Sequence, residues 1–304
     1  MYSFHSSSEL VKLAKKHKKP IWEIVLLNEM SSSDKTRKQI VNKMSERITV
    51  MKEAVNKGLK LSTKSVGGMV GTNAIKLSKG IQKKQKDMMM SKEALLSITY
   101  AISTSEMNAR MGRIVAFPTA GAAGVIPGVF LAAQKKYKFS DKKLTEGLFT
   151  ASGMGMIIGE NATLAGAEGG CQAEIGAAVA MAAAALTEMR GGTPDQCMHA
   201  ASLGLKNLLG LTCDPLGGMV EVPCVKRGGI LSVLALSASD MAIMGVESYV
   251  PFDEVVESLN HIGRMLSPKL RETALGGLAV TKTGQKIKKR LGFKDTLNGN
   301  ADLY

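Results

Sequence analysis

Residues 167–189 read AEGGCQAEIGAAVAMAAAALTEM, and this stretch decides the fold. From Ala177 to Leu186 no polar residue intervenes, yet the run is too short to cross a bilayer and Glu174 and Glu188 bracket it closely. The segment therefore reads as a helix lying inside a helical protein rather than in a membrane. Its side chains are small, so helices packed against it can approach closely. Cys171 stands where the Gly-rich turn gives way to that helix, a place where backbone N–H groups favour a thiolate.

The surrounding composition agrees. The chain has 304 residues, of which 45% are apolar, 22% charged and 4% aromatic, with 32 Gly and 19 Met. That is enough apolar material for a substantial core and excludes a disordered chain. With so few aromatics the core must be built from Ala, Leu, Val, Ile and Met, which favours helices over a sandwich or barrel. No alternating strand pattern recurs and no repeat of fixed period is visible. The expected fold class is all-α, a single helical domain centred between about residues 150 and 250, where Tyr249 is the sole aromatic.

Formal charge is +14. Residues 1–95 hold 20 Lys and Arg against 8 Asp and Glu, whereas residues 96–304 hold 20 against 18, so the basic excess is N-terminal. The Lys residues there alternate with apolar positions at helical spacing, which reads as a solvated or partner-facing helical surface rather than a nucleic-acid site. The N-terminus shows no apolar signal core, and a cytoplasmic location is expected.

Three parts follow: basic N-terminal helices over 1–60, a core over 61–280 that would carry any catalytic site, and a tail over 281–304. Ser6 and Glu9 open the first helix, IWEIVLLNEM forms a second, and a long basic helix from Asp34 to Asn56 is one that Gly58 can end. Helix is also expected over Ser91–Arg113, after Ser140, after the capping box of Thr193 and Gln196 with Pro194 at the first helical position, and over ILSVLALSASDMAIMG. Two Gly-rich loops break the pattern, SVGGMVGTN at 65–73 and PTAGAAGVIPG at 118–128.

Of the four cysteines, Cys197 lies among ordinary helix formers and reads as a small buried hydrophobe. Cys213 and Cys224 belong to TCDPLGGMVEVPC, where Pro215 and Pro223 forbid a continuing helix and Gly217 and Gly218 allow a reversal, so both thiols can be brought towards one point. Their spacing matches no close pair of the zinc-ribbon or ferredoxin kind.

AEGGCQAEIG, GLTCDPLGGMVEVPC and NARMGRIVAFPTAGAAGVIPG resemble the catalytic α chain of the bacterial iron-sulfur L-serine dehydratases (L-serine ammonia-lyases), over about Thr63 to Gly277. The resemblance implies a 4Fe-4S cluster with Cys171, Cys213 and Cys224 as ligands and one open iron, conversion of L-serine to pyruvate and ammonia, and a separate β chain in an αβ heterodimer or dimer of heterodimers. Some single-chain relatives fill the fourth place with a C-terminal Cys, whereas this chain ends NADLY. An open iron suits Lewis-acid chemistry on a departing hydroxyl. The nearest rival is sulfide elimination from L-cysteine on a similar cluster. A rival of another class is a basic scaffold or nucleic-acid-binding protein with structural Cys.

Serine brings a carboxylate and an ammonium. Thr119, Ala120 and Gly121 offer backbone N–H groups and a hydroxyl suited to the carboxylate, and Ser65, Gly67 and Gly68 offer a second cradle. Lys64, beside that cradle, is favoured as the base over Glu168, His199 and His261. Glu160, Asn161 and Thr163 read as polar support for the cluster or substrate, or as an exposed turn. Arg110 and Arg113 can pair with a carboxylate or with Glu106.

Overall fold

The computed structural model describes residues 2–292. No strand occurs among them, and their only isolated extended pairing is a bridge between Cys213 and Arg271, so the all-α expectation holds. The helices are α1 (Ser7–His17), α2 (Ile21–Ser32), α3 (Arg37–Gly58), α4 (Asn73–Lys84), α5 (Lys92–Asn108), α6 (Val125–Tyr137), α7 (Asp141–Asn161), α8 (Gly166–Gly169), α9 (Ala177–Met189), α10 (Pro194–Lys206), α11 (Cys224–Ile243), α12 (Phe252–Met265) and α13 (Lys282–Arg290). No helix of the described residues is long and apolar enough to cross a membrane.

Every residue of α9 is buried, and α6, α7, α10 and α11 pack around it. An alanine contributes little apolar area, about 0.8 kcal/mol per buried carbon, so such a core gains strength from dense contact rather than large side chains. The spacing is close throughout. At Gly128, where α6 meets α5, a Cβ would lie 2.7 Å from the carbonyl oxygen of Ser97, so no larger residue fits. The N-terminal helices belong to the same body: Phe4, Leu10, Ile24 and Ile48 share one buried cluster with Ala178 and Leu203.

Capping follows the sequence. Thr193 and Gln196 form the expected capping box with Pro194 in the first turn, and Thr36 and Gln39 form another that starts α3. Each cap contributes about 1 kcal/mol. Helix α5 stops at Asn108, short of the expected Arg113, because Met111 turns left-handed and the Gly112 N–H bonds back to the Met107 carbonyl. Helices α4, α12 and α13 carry no expectation. The expected tail over 281–304 begins as α13, and residues 293–304, with the NADLY ending, lie outside the described residues.

Candidate active site

The 65–70 and 118–124 loops, the turn before α9, the 212–224 segment and the 268–280 segment build the site. Cys171 precedes a π-helical turn, Gln172–Gly176, that runs into α9, and such wide turns recur at functional positions. Buried Gln172 secures the turn: its backbone N–H donates to Leu211 O at 3.1 Å, its side chain donates to Leu259 O at 3.1 Å, and its Oε1 accepts from Gly210 N at 2.8 Å. Cys213 is held in an extended segment by Cys213 N to Leu270 O and Glu272 N to Cys213 O, each 2.8 Å. Cys224 is the first residue of α11.

The three thiols are brought together and sealed, at 2%, 3% and 7% exposure for Cys171, Cys213 and Cys224. The Cys171 and Cys213 side chains lie within hydrogen-bonding reach of each other, and Cys224 is near enough to feel charge on Cys171. Arg227, one turn into α11, reaches the same point; its Nη1 donates to Thr212 O at 2.8 Å and its Nη2 to Asp214 Oδ1 at 3.3 Å. The Cys213 bond, helped by Arg227, holds the Cys171 thiol below its ordinary range despite burial. The bond to Cys171, burial and neighbouring negative charge drive Cys213 far up. Burial, then Cys171, pushes Cys224 up to about 12. One thiolate thus forms readily, and holding all three ionised requires a strong cationic partner.

Two carboxylates complete the cluster: ligand atoms of Glu174, Cys213 and Glu272 all lie within 4.8 Å of one another. Burial raises the Glu174 pKa, Glu272 adds to the rise, and the neighbouring Thr119 hydroxyl opposes it. Three buried thiols on three separate segments, with two carboxylates alongside, are a donor set that fits an iron-sulfur group. Cys197 lies apart in α10, fully buried, and burial raises its thiol well above the ordinary range.

The two Gly-rich loops differ. In the first, Ser65 Oγ and the N–H groups of Gly67 and Met69 donate to the buried Glu221 carboxylate at 2.6, 2.6 and 3.1 Å. That cradle holds a carboxylate of the chain itself and fastens the loop to the segment preceding Cys224; Gly68 instead donates to Ser65 O. In the second, the N–H groups of Thr119, Ala120, Gly121 and Ala122 bond no group among the described residues, and the buried Thr119 hydroxyl oxygen has no hydrogen bond of full geometry. The loop lies beside Glu174: a Cβ on Gly121 would lie 3.3 Å from Glu174 Oε2.

Other expected residues fall elsewhere. Lys64 is exposed and makes no hydrogen bond or ion pair with the described residues. Glu168 accepts from Thr163 at 2.5 Å, His199 accepts from Ser248 N at 3.3 Å, and His261 is exposed. Glu160 and Asn161 do not support the thiols; exposed, they hold the N-terminal segment through His5, at 2.9 and 2.8 Å. Arg110 does not pair with Glu106. It gathers the carbonyls of Leu61, Thr63 and Gly71, while buried Glu106 accepts from Gly71 N and Asn73 N to cap α4, and Arg113 is exposed. Sequence reading missed Glu174, Asp214, Glu221, Arg227 and Glu272. The signal for three was proximity in sequence: Glu174 follows Cys171 by one turn, Arg227 follows Cys224 by one turn, and Asp214 adjoins Cys213.

A family model described as "Serine dehydratase alpha chain" matches residues 16–279, beginning well before Thr63, where the motif resemblance starts. The chain is 41% identical over 302 residues to the "Probable L-serine dehydratase, alpha chain" of Bacillus subtilis (strain 168), covering 98% of this chain and 100% of that one. It is 41% identical over 291 residues to the "L-serine dehydratase, alpha chain" of Peptoniphilus asaccharolyticus, covering 94% and 97%. Against "L-serine dehydratase TdcG" of Escherichia coli (strain K12) identity is 34% over 287 residues, covering 92% of this chain and 62% of that longer one.

Proposed function

Because this chain belongs to the family of serine dehydratase alpha chains, we propose that it converts L-serine to pyruvate and ammonia in the cytoplasm, together with a separate β chain. The carrying observation is the convergence of Cys171, Cys213 and Cys224 beside a loop whose backbone donors are unused. The relatives are named for serine dehydration, which favours this reading over sulfide elimination from cysteine and over a basic scaffold or nucleic-acid-binding protein.

In this reading the three thiolates hold a 4Fe-4S cluster with one iron free of a cysteine, and Arg227 offsets part of their charge. The cluster, when bound, supplies a Lewis acid for the departing hydroxyl. Thr119, Ala120 and Gly121 receive the substrate carboxylate on their free N–H groups and hydroxyl. Ser65, Gly67 and Gly68 take part through Glu221, fixing the segment that carries Cys224. Lys64, bonded to no described group, keeps its place as the acceptor of the α-proton. Loss of that proton and of the hydroxyl leaves an enamine, which tautomerises to an imine that water hydrolyses to pyruvate and ammonia.

The β chain pairs with this one in an αβ heterodimer or a dimer of heterodimers, and the basic N-terminal face is its candidate contact. The test is anaerobic reconstitution of the two chains with iron and sulfide, followed by turnover of L-serine, L-threonine and L-cysteine. Pyruvate from L-serine foremost supports the reading, and preferred turnover of L-cysteine overturns it.

A further inference from the structure

We propose that Arg290, the last residue of α13, is a positioning residue for the cluster, and that α13 straps down the segment running from Cys213 to Cys224. This rests on the three-thiolate reading above. Arg290 Nη2 donates to Gly67 O at 2.6 Å, and the N–H of the same Gly67 donates to Glu221 Oε1 at 2.6 Å. One glycine thus joins an arginine of α13 to a carboxylate three residues before Cys224. Both bonds involve a charged partner, the stronger kind of hydrogen bond.

The strap meets the segment twice more. Leu278 N, shortly before α13, donates at 2.8 Å to the Asp214 carboxylate, next to Cys213. Further along, Ile287 and Leu291 lie on the turn Leu216–Gly218: a Cβ on Gly217 would lie 3.0 Å from Leu291 Cδ1 and 3.5 Å from Ile287 Cγ2. Gly217 is also left-handed, φ 58°, so glycine serves both the turn and the contact.

Helix, segment and loop therefore close into a ring: α13 rests on Gly217, the segment reaches Gly67 through Glu221, and Gly67 returns to α13 through Arg290. Breaking one contact of such a ring lets the others move. The three thiols depend on it unequally. Cys213 and Cys224 bound the strapped segment, whereas Cys171 is fixed by its neighbour Gln172, which bonds Leu211, Leu259 and Gly210. The family match ends at residue 279, and α13 begins beyond it.

The test compares wild type, Arg290→Met, Arg290→Lys and Lys289→Met by two measurements. In the cluster-free chain, hydrogen exchange read by mass spectrometry reports the opening of residues 65–70, 212–224 and 171–176. In the anaerobically reconstituted αβ complex, iron release to excess ferrous chelator reports how firmly the cluster is held. Arg290→Met keeps the stem and removes the donors. It should exchange about fivefold faster over 65–70 and 212–224 and release iron about fivefold faster, the scale of one lost hydrogen bond. Exchange over 171–176 should stay at the wild-type rate, Arg290→Lys should recover most of both losses, and Lys289→Met, at an exposed neighbour, should match wild type. Wild-type exchange over 65–70 and 212–224 in Arg290→Met, equal acceleration over 171–176, or iron release at the wild-type rate overturns the proposal. Should Arg290→Met fail to fold, Arg290→Gln is read in the same way. A wild-type complex that binds no cluster overturns the three-thiolate reading instead, and the exchange comparison still decides the strap.

Discussion

The Ser65 hydroxyl donates a 2.6 Å hydrogen bond to the Glu221 carboxylate, and both groups are buried. The bond ties the 65–70 loop to the segment carrying Cys224, between residues 156 positions apart in sequence. Because a buried carboxylate left short of a donor costs about 1–3 kcal/mol, Ser65→Ala should lower stability by that amount and loosen the iron. Thermal unfolding and iron content of the reconstituted protein measure both.

The 118–124 loop makes the opposite case, with donors that hold nothing internal. Thr119→Ala and Gly121→Val should raise KM for L-serine by about tenfold or more, the scale of one or two hydrogen bonds to a charged group, while iron content stays at the wild-type level. Unchanged steady-state constants in both variants would reduce the loop to helix packing.

Much of this was legible in the sequence because its signals are local. The Thr193–Gln196 capping box, the Ser140 cap and the apolar run of α9 each announce themselves within a few residues. The three loop cysteines stood apart from Cys197 for the same reason. What stayed hidden depends on contacts distant in sequence: nothing near Ser65 says that Glu221 will fill its cradle, and nothing near Glu174 says that Glu272 will arrive beside it. For Glu160 and Asn161 the sequence left site support and an exposed turn open, because a polar break after an apolar helix looks the same in both; the structure shows the exposed turn, binding the N-terminal segment.

Glu188, buried in the last turn of α9, accepts from the N–H groups of Ile21 and Trp22 and from Thr150, yet burial outweighs these bonds and raises its pKa above the ordinary carboxyl value. The folded chain therefore keeps a proton at pH values where the unfolded chain has released it. Stability from this group is present below the unfolded carboxyl range and is lost as pH rises towards the folded value. Urea unfolding at pH 4.5 and at neutrality should show a fall in the wild type that is smaller in Glu188→Gln.

Alone, this chain should yield little pyruvate. Its relatives of matching length are named alpha chains, and co-expressed β chain should restore turnover. Sedimentation at low and high salt then reports the role of the basic N-terminal helices, whose attraction to an acidic partner weakens as salt rises. Full activity of this chain alone would contradict the need for a partner, and salt-insensitive association would remove the basic face from the contact.

The most direct test is iron and acid-labile sulfide per chain, after anaerobic reconstitution, in four single-cysteine variants. Cys171→Ser, Cys213→Ser and Cys224→Ser should each lose the cluster, whereas Cys197→Ala, which removes only a buried packing group from α10, should keep it at the wild-type level. Loss of the cluster in Cys197→Ala, or its retention in any of the other three, would contradict the assignment.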